Sequence, residues 1–174
     1  MNTFVMTSNK MRVTDPCYSR DTSCVGVLEN VLPGTWNASP LMSDEGDWGN
    51  QVSELHVWHQ DHHEAFPDQL TSIDVGVDSG QAGFFDDSQY PENPGEYSDE
   101  TSFYRKICNF TLGESDELPG FGVASSSGYG DGSYQCFVGR NKAGQIVSAR
   151  IVFISEEEED DIDYDEDSYD EEDE

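Results

Sequence analysis

The chain has 174 residues and carries 37 acids against 8 bases, a formal net charge of −29 at pH 7. That balance disfavours direct binding to nucleic acid or to an anionic membrane, because few cations are available to neutralise phosphate, and it favours basic proteins as partners. No apolar run approaches membrane-spanning length and residues 1–10 lack a signal-peptide core, so Cys17, Cys24, Cys108 and Cys136, none in CxxC spacing, read as reduced, mostly buried thiols of a cytoplasmic protein.

The acids are unevenly spread. Residues 156–174 hold 15 acids in 19 positions and cannot form a core, which sets them apart as a tail behind a globular domain of residues 1–155. That domain still holds 22 acids against 8 bases, so acidity is a property of the whole chain.

Residues 11–14 start a strand that Asp15-Pro16 stops. An apolar run over 24–31 follows, and Leu32-Pro33-Gly34 is a turn. Residues 35–39 read as a short strand, and 43–51, rich in Gly, Asp and Asn, as a loop. Residues 54–59 alternate like a strand. Residues 73–86 read as strand, tight turn, strand. Val75 and Val77 alternate with small or polar residues, and Asp78-Ser79-Gly80 supplies turn chemistry. Gly76 and Gly83 flank the turn as places of bulge or close approach. Residues 98–110 are the helix candidate. Phe103, Ile107 and Phe110 share a face, with Asp99 or Glu100 in the first turn and Arg105-Lys106 later. Residues 112–120 form a loop, 121–125 a strand, and 126–132 a glycine-rich turn. Residues 134–139 and 145–154 make a hairpin across 140–144. About eight short strands and one helix predict a mainly β, antiparallel sandwich or barrel-like domain with an acidic tail.

Three stretches stand out in order. They are Val13-Thr14-Asp15-Pro16 with Val31-Leu32-Pro33-Gly34-Thr35-Trp36; Val77-Asp78-Ser79-Gly80 through Phe85-Asp86; and Ser127-Gly128-Tyr129-Gly130-Asp131-Gly132-Ser133-Tyr134 with Gly144-Gln145-Ile146-Val147. Together they resemble the bacterial and phage family known as domain of unknown function 4241, over roughly residues 12–154. The resemblance implies a mainly β domain and no particular activity. The histidine-rich stretch and the acidic tail depart from the family pattern.

The chemistry-bearing residues each have a plainer reading. His56, His59, His62 and His63 fall in one window. In a strand His56 and His59 point to opposite faces, which argues against a joint metal site, and an exposed polar edge is the simpler account. Asp78, Ser79, Asp86 and Asp131 could converge as a hard-cation site, yet such residues with Gly80 and Gly132 are what tight turns require. Ser79 as a nucleophile lacks a strand-turn-helix elbow, and Cys17 or Cys136 lacks a local motif. The glycine-rich stretch 128–133 lacks the lysine and helix of a phosphate loop. No cofactor is implied.

The tail carries the sharper clue. Extended, it would span about 63 Å, close to the charge spacing of a single nucleic-acid strand. Coiled as a helix it would span about 28 Å and approach the spacing of a duplex. The reading that follows is a non-enzymatic, phage-encoded inhibitor that binds a basic, nucleic-acid-binding host protein by charge mimicry. Trp36, Trp48 and Trp58 would be anchors on the body, and Glu156, Asp160, Ile162, Tyr164 and Tyr169 would be contacts on the tail. The alternatives are a small metal-dependent hydrolase and an immunity or antitoxin-like protein facing a basic toxin.

Overall fold

The structure, a computed structural model, describes residues 2–22 and 25–155. Ten strands and one α-helix run in the order β1 (Asn2–Met6), β2 (Met11–Thr14), β3 (Gly26–Leu28), β4 (Gly34–Asp44), β5 (Asn50–His59), β6 (Gln69–Val77), β7 (Gln81–Asp86), α1 (Phe103–Thr111), β8 (Gly122–Ser126), β9 (Gly132–Arg140) and β10 (Ile146–Val152) among the described residues. They form two antiparallel sheets. One has the order β1-β4-β5-β10-β9-β6 and the other β3-β2-β7-β8. The mainly β expectation holds.

The alternation of each strand decides which face goes inward. In β5, Val52, Leu55 and Val57 are buried and meet Ile151 and Ala149 of β10. From the other sheet, Met11, Val13, Ala82, Phe84 and Val123 enter the same core, so the sheets pack face to face around it. Strand β7 is buried at all six positions, because it has a layer on each side. Ala82 and Phe84 face the sandwich, while Phe85 joins Tyr90, Ile107 and Ala124 in a second cluster beneath α1. The continuous run Ala82-Gly83-Phe84-Phe85 is the sequence form of a strand covered on both faces. Gly83 has no room for a side chain, since a Cβ there would strike the Val123 carbonyl oxygen and the Phe85 ring.

Several local expectations are corrected. Strand β1 is an addition to the expected elements; its Phe4 and Met6 are buried between exposed neighbours, and it pairs with β4. Residues 43–51 are no open loop, because β4 extends to Asp44, β5 begins at Asn50, and a 3-10 turn over Gly46–Trp48 joins them. Gly46 and Gly49 make that turn possible by taking φ of 64° and 74°. The helix starts at Phe103, capped by Ser102 Oγ, which accepts from the Arg105 amide at 3.0 Å. Asp99 lies before it and caps Thr101 instead, so the helix has no acid in its first turn and no base in its last. The macrodipole argument therefore does not apply, and packing of Ile107 and Cys108 holds the helix. Residues 73–86 form the strand, turn and strand expected of them, and the two strands lie in different sheets. Strand β6 pairs with β9 in one sheet and β7 pairs with β2 and β8 in the other, so Asp78-Ser79-Gly80 is a crossover between sheets.

Candidate functional site

The conspicuous sequence stretches turn out to be joints between the sheets. Asp15 is fully buried at the end of β2. Its Oδ2 accepts the backbone amides of Asp78 at 2.9 Å and Ser79 at 2.6 Å, and its Oδ1 accepts the Ser79 hydroxyl at 2.6 Å and the Cys17 amide at 2.9 Å. One carboxylate thus clamps the crossover that follows β6. The third stretch closes the same end, where the Ser127 amide donates to the Gly80 carbonyl at 3.0 Å and the Tyr134 hydroxyl donates to Gly130 O at 2.6 Å. The register Val77↔Gly132 places Asp78 and Asp131 beside each other there. In the remaining stretches, the Leu32 amide donates to Ile146 O at 3.0 Å, the Ile146 amide donates to Asn30 O at 2.8 Å, and the Trp36 indole donates to Leu32 O at 2.9 Å.

Asp86 sits at the opposite end of β7 from Ser79, so the four-residue convergence with Asp78, Ser79 and Asp131 does not occur. Its buried carboxylate accepts from the Thr7 amide at 2.7 Å, the Thr7 hydroxyl at 2.8 Å, the Ser8 hydroxyl at 2.5 Å and the Ser88 hydroxyl at 2.8 Å. Burial pushes this carboxyl up, and the bonds from Ser8, Thr7 and Ser88 outweigh it and hold it well below the usual carboxylate range. Beside it, Asp87 takes Arg12 Nε at 2.8 Å and Arg20 Nη2 at 3.2 Å. No group of three or more His, Cys, Asp or Glu among the described residues stands close enough to hold a metal ion.

The Ser79 hydroxyl donates to Asp15, a buried carboxylate that also accepts the Asp78, Ser79 and Cys17 amides and so serves to hold the turn. Cys17, Cys108 and Cys136 are free thiols, and Cys24 lies outside the described residues. Burial, with the neighbouring Asp15 carboxylate, pushes the Cys17 thiol up to about 12, and burial pushes Cys136 up to about 12. Both are protonated and unreactive at neutral pH.

The histidines divide as the strand alternation requires. His59 points inward and is 5% exposed, which corrects the exposed-edge reading for this residue. The Asp61 amide donates to its Nδ1 at 3.2 Å, so its Nε2 carries the proton and donates to Pro33 O at 3.0 Å. His56 lies on the outer face against Trp58, and its buried Nε2 has no hydrogen-bond partner. Burial, then the Arg150 charge, lowers its pKa. His62 and His63 lie beyond the strand, both beside Glu64 at 3.7 Å.

The three tryptophans part company. Trp36 is 0% exposed and belongs to the core, so it is no surface anchor. Trp58 is half-buried on the outer face of β5. Trp48 is 74% exposed at the tip of the β4–β5 hairpin. Its ring meets Tyr129 edge-on with centroids 6.4 Å apart, and the Tyr129 hydroxyl donates to Glu45 Oε2 at 2.6 Å. The Ser43 hydroxyl donates to Glu45 Oε1 at 2.6 Å. These bonds, Ser43 first, lower the Glu45 pKa, and Glu45 raises that of Tyr129. Glu45 therefore bonds exposed Tyr129, whose ring meets exposed Trp48, with Asp44 and Asp47 close by in the chain.

This corner continues into a groove of about 770 Å³ on the outer sheet face, whose lining includes Leu41, Met42, Glu45, Glu54, Arg150 and Ser155. Leu41 and Met42 are 45% and 57% exposed. A bulge where the β4 register shifts between Leu41 and Met42 turns these side chains outward. Ser155, the last described residue, lines this groove. Glu156, Asp160, Ile162, Tyr164 and Tyr169 themselves lie outside the described residues. The sequence singles out Trp48 but not Tyr129, Glu45, Leu41 or Met42 at this corner; an aromatic in the middle of a glycine-rich turn is the available signal for Tyr129.

The class defined by this geometry is an antiparallel two-sheet sandwich covered on one side by a single helix. The chain belongs to the family described as protein of unknown function (DUF4241), which matches residues 4–151. No curated protein and no solved structure matches it. Among the described residues no helix is long and apolar enough to cross a membrane.

Proposed function

We propose that this chain is a non-enzymatic binding protein that engages a cationic surface of a nucleic-acid-binding protein. Trp48 and Tyr129 act as anchors and the acids around them, continued by residues 156–174, mimic a line of phosphates. The observation that carries the reading is the Trp48–Tyr129–Glu45 unit. A large exposed tryptophan on a hairpin tip meets Tyr129 edge-on, and Tyr129 is itself bonded to the Glu45 carboxylate, beside exposed Leu41 and Met42. Tryptophan and tyrosine are the residues that dominate interface energetics, and an arginine or lysine can stack on their faces while pairing with Glu45 or Asp47. Net charge would speed encounter and the aromatics would fix the register.

Co-purification from a bacterial lysate tests this with the full chain as bait. The control baits are a Trp48→Ala/Tyr129→Ala variant and a chain ending at Ser155. The expected result is enrichment of a basic protein by the full chain, weakened at high salt and lost with either control. Capture that is equally strong with all three baits contradicts the proposal, as does the absence of any basic protein.

A further inference from the structure

The most basic part of the molecule lies immediately before its most acidic part. Residues 132–155 contain no Asp or Glu and hold Arg140, Lys142 and Arg150, and residues 156–174 then hold 15 acids. Arg150 is already neutralised by Glu54 at 2.9 Å. Arg140 and Lys142 are not. Both are exposed at the β9–β10 hairpin, and neither makes an ion pair among the described residues. Arg140 is instead oriented by neutral groups, donating from Nε to Gln69 Oε1 at 3.1 Å and from Nη1 to Gly144 O at 2.9 Å. Its charge is thereby fixed in direction and left uncompensated. With His62 and Asn141 these two cations line an open cleft of about 580 Å³, in which Glu64 is the one acid.

The half-buried Arg105 and the exposed Lys10 and Lys106 are placed differently. Arg105 lies over the Tyr97 ring and bonds Asn109, and α1 is flanked by Asp99, Glu100, Glu114, Asp116 and Glu117, which repel an acidic segment. Lys10 pairs with Glu29 at 3.6 Å. Reach also favours the hairpin. From Ser155 back along β10 to the 140–144 tip is about 33 Å at strand rise, and 19 residues extend up to about 63 Å. Residues 165–174, which hold eight acids, are the part able to arrive there.

We propose that the acidic segment 156–174 docks in cis on the Arg140–Lys142 end of the β9–β10 hairpin. The contact is electrostatic and exposed, so it is weak per pair, and the covalent tether supplies the effective concentration that makes it populated. A cationic partner would then compete with this site for the segment. The inference does not depend on such a partner existing.

The chain contains three lysines, Lys10, Lys106 and Lys142, all exposed, so zero-length carbodiimide coupling of lysine amines to carboxylates, read by mass spectrometry, reports on the site directly. The Lys10–Glu29 product is the internal control for the reaction. The expected result is that residues 156–174 couple to Lys142 about fivefold more than to Lys10 or Lys106. The product should form within single chains in a mixture of isotopically light and heavy protein. Arg140→Glu, which keeps the Lys142 reporter, should reduce it to the Lys10 level. Salt at about 0.5 M should do the same without touching the fold. Equal coupling to all three lysines, preference for Lys106, light–heavy products that reveal a second copy as the occupant, or yields indifferent to salt each overturn the proposal.

Discussion

The Asp15 joint and the Trp48 corner are each built around one carboxylate, in opposite settings. At the joint a carboxylate is fully buried, receives four protein hydrogen bonds and ties the β2 end to the crossover between sheets. At the corner the half-buried Glu45 carboxylate receives two bonds, from Ser43 and Tyr129, and Tyr129 in turn meets the exposed Trp48 ring. The first arrangement satisfies every donor that points at it, which leaves nothing for a ligand. The second presents apolar area and charge together, which costs solvation unless a partner covers it. The most conspicuous residues in this chain are therefore those of folding, and the corner we propose for recognition is made of residues that look ordinary.

That contrast can be broken at either end. The largest expected effect is Asp15→Ala, which strands the buried amides of Asp78 and Ser79. It should lower stability by about 3–5 kcal/mol, seen as a fall in the denaturation midpoint. Cation binding should be unchanged in whatever folded protein remains. Trp48→Ala should do the reverse. Stability should stay within about 0.5 kcal/mol, while affinity for a cationic partner should drop by about 1–2 kcal/mol.

The Asp86 joint adds a pH signature. Its folded pKa lies below the ordinary value of about 3.9. Its contribution is therefore complete above that value and is lost as pH falls toward the folded pKa. Stability should decline there with a slope of up to about 1.4 kcal/mol per pH unit, and Asp86→Asn should remove that share of the slope in denaturant titrations between about pH 4 and pH 2. The smallest effect is chemical. With its thiol raised to about 12 by burial and Asp15, Cys17 in the folded protein should alkylate far more slowly at pH 8 than an ordinary cysteine, and Asp15→Asn should speed it.

Much of the fold was legible in the chain. The β5 alternation at Leu55, Val57 and His59 and the β9–β10 hairpin follow from period-two patterning. The run Ala82-Gly83-Phe84-Phe85 marked a strand, and its glycine marked the close approach to Val123. Sheet membership was not legible. A crossover and a hairpin share the same turn residues, and only the distant partner of Ser79, Asp15, distinguishes them. Strand β1 was hidden because two inward residues, Phe4 and Met6, give too short a pattern without their β4 partners. Trp36 and Trp48 look alike in sequence. Packing on Phe4 buries one, and the glycine-framed turn exposes the other. Tyr129 and Glu45 are 84 positions apart, so no local pattern could have joined them.

The most direct test of the central claim separates recognition from bulk charge. An arginine- and lysine-rich peptide is titrated calorimetrically into the full chain and into Trp48→Ala, which have the same net charge, at several salt concentrations. The account predicts about tenfold weaker binding by Trp48→Ala with an unaltered salt slope, because an aromatic anchor is lost and no charge is. Identical affinities for the two proteins would show that the peptide responds to net charge alone, and would contradict the assignment of the Trp48–Tyr129–Glu45 corner as a recognition site.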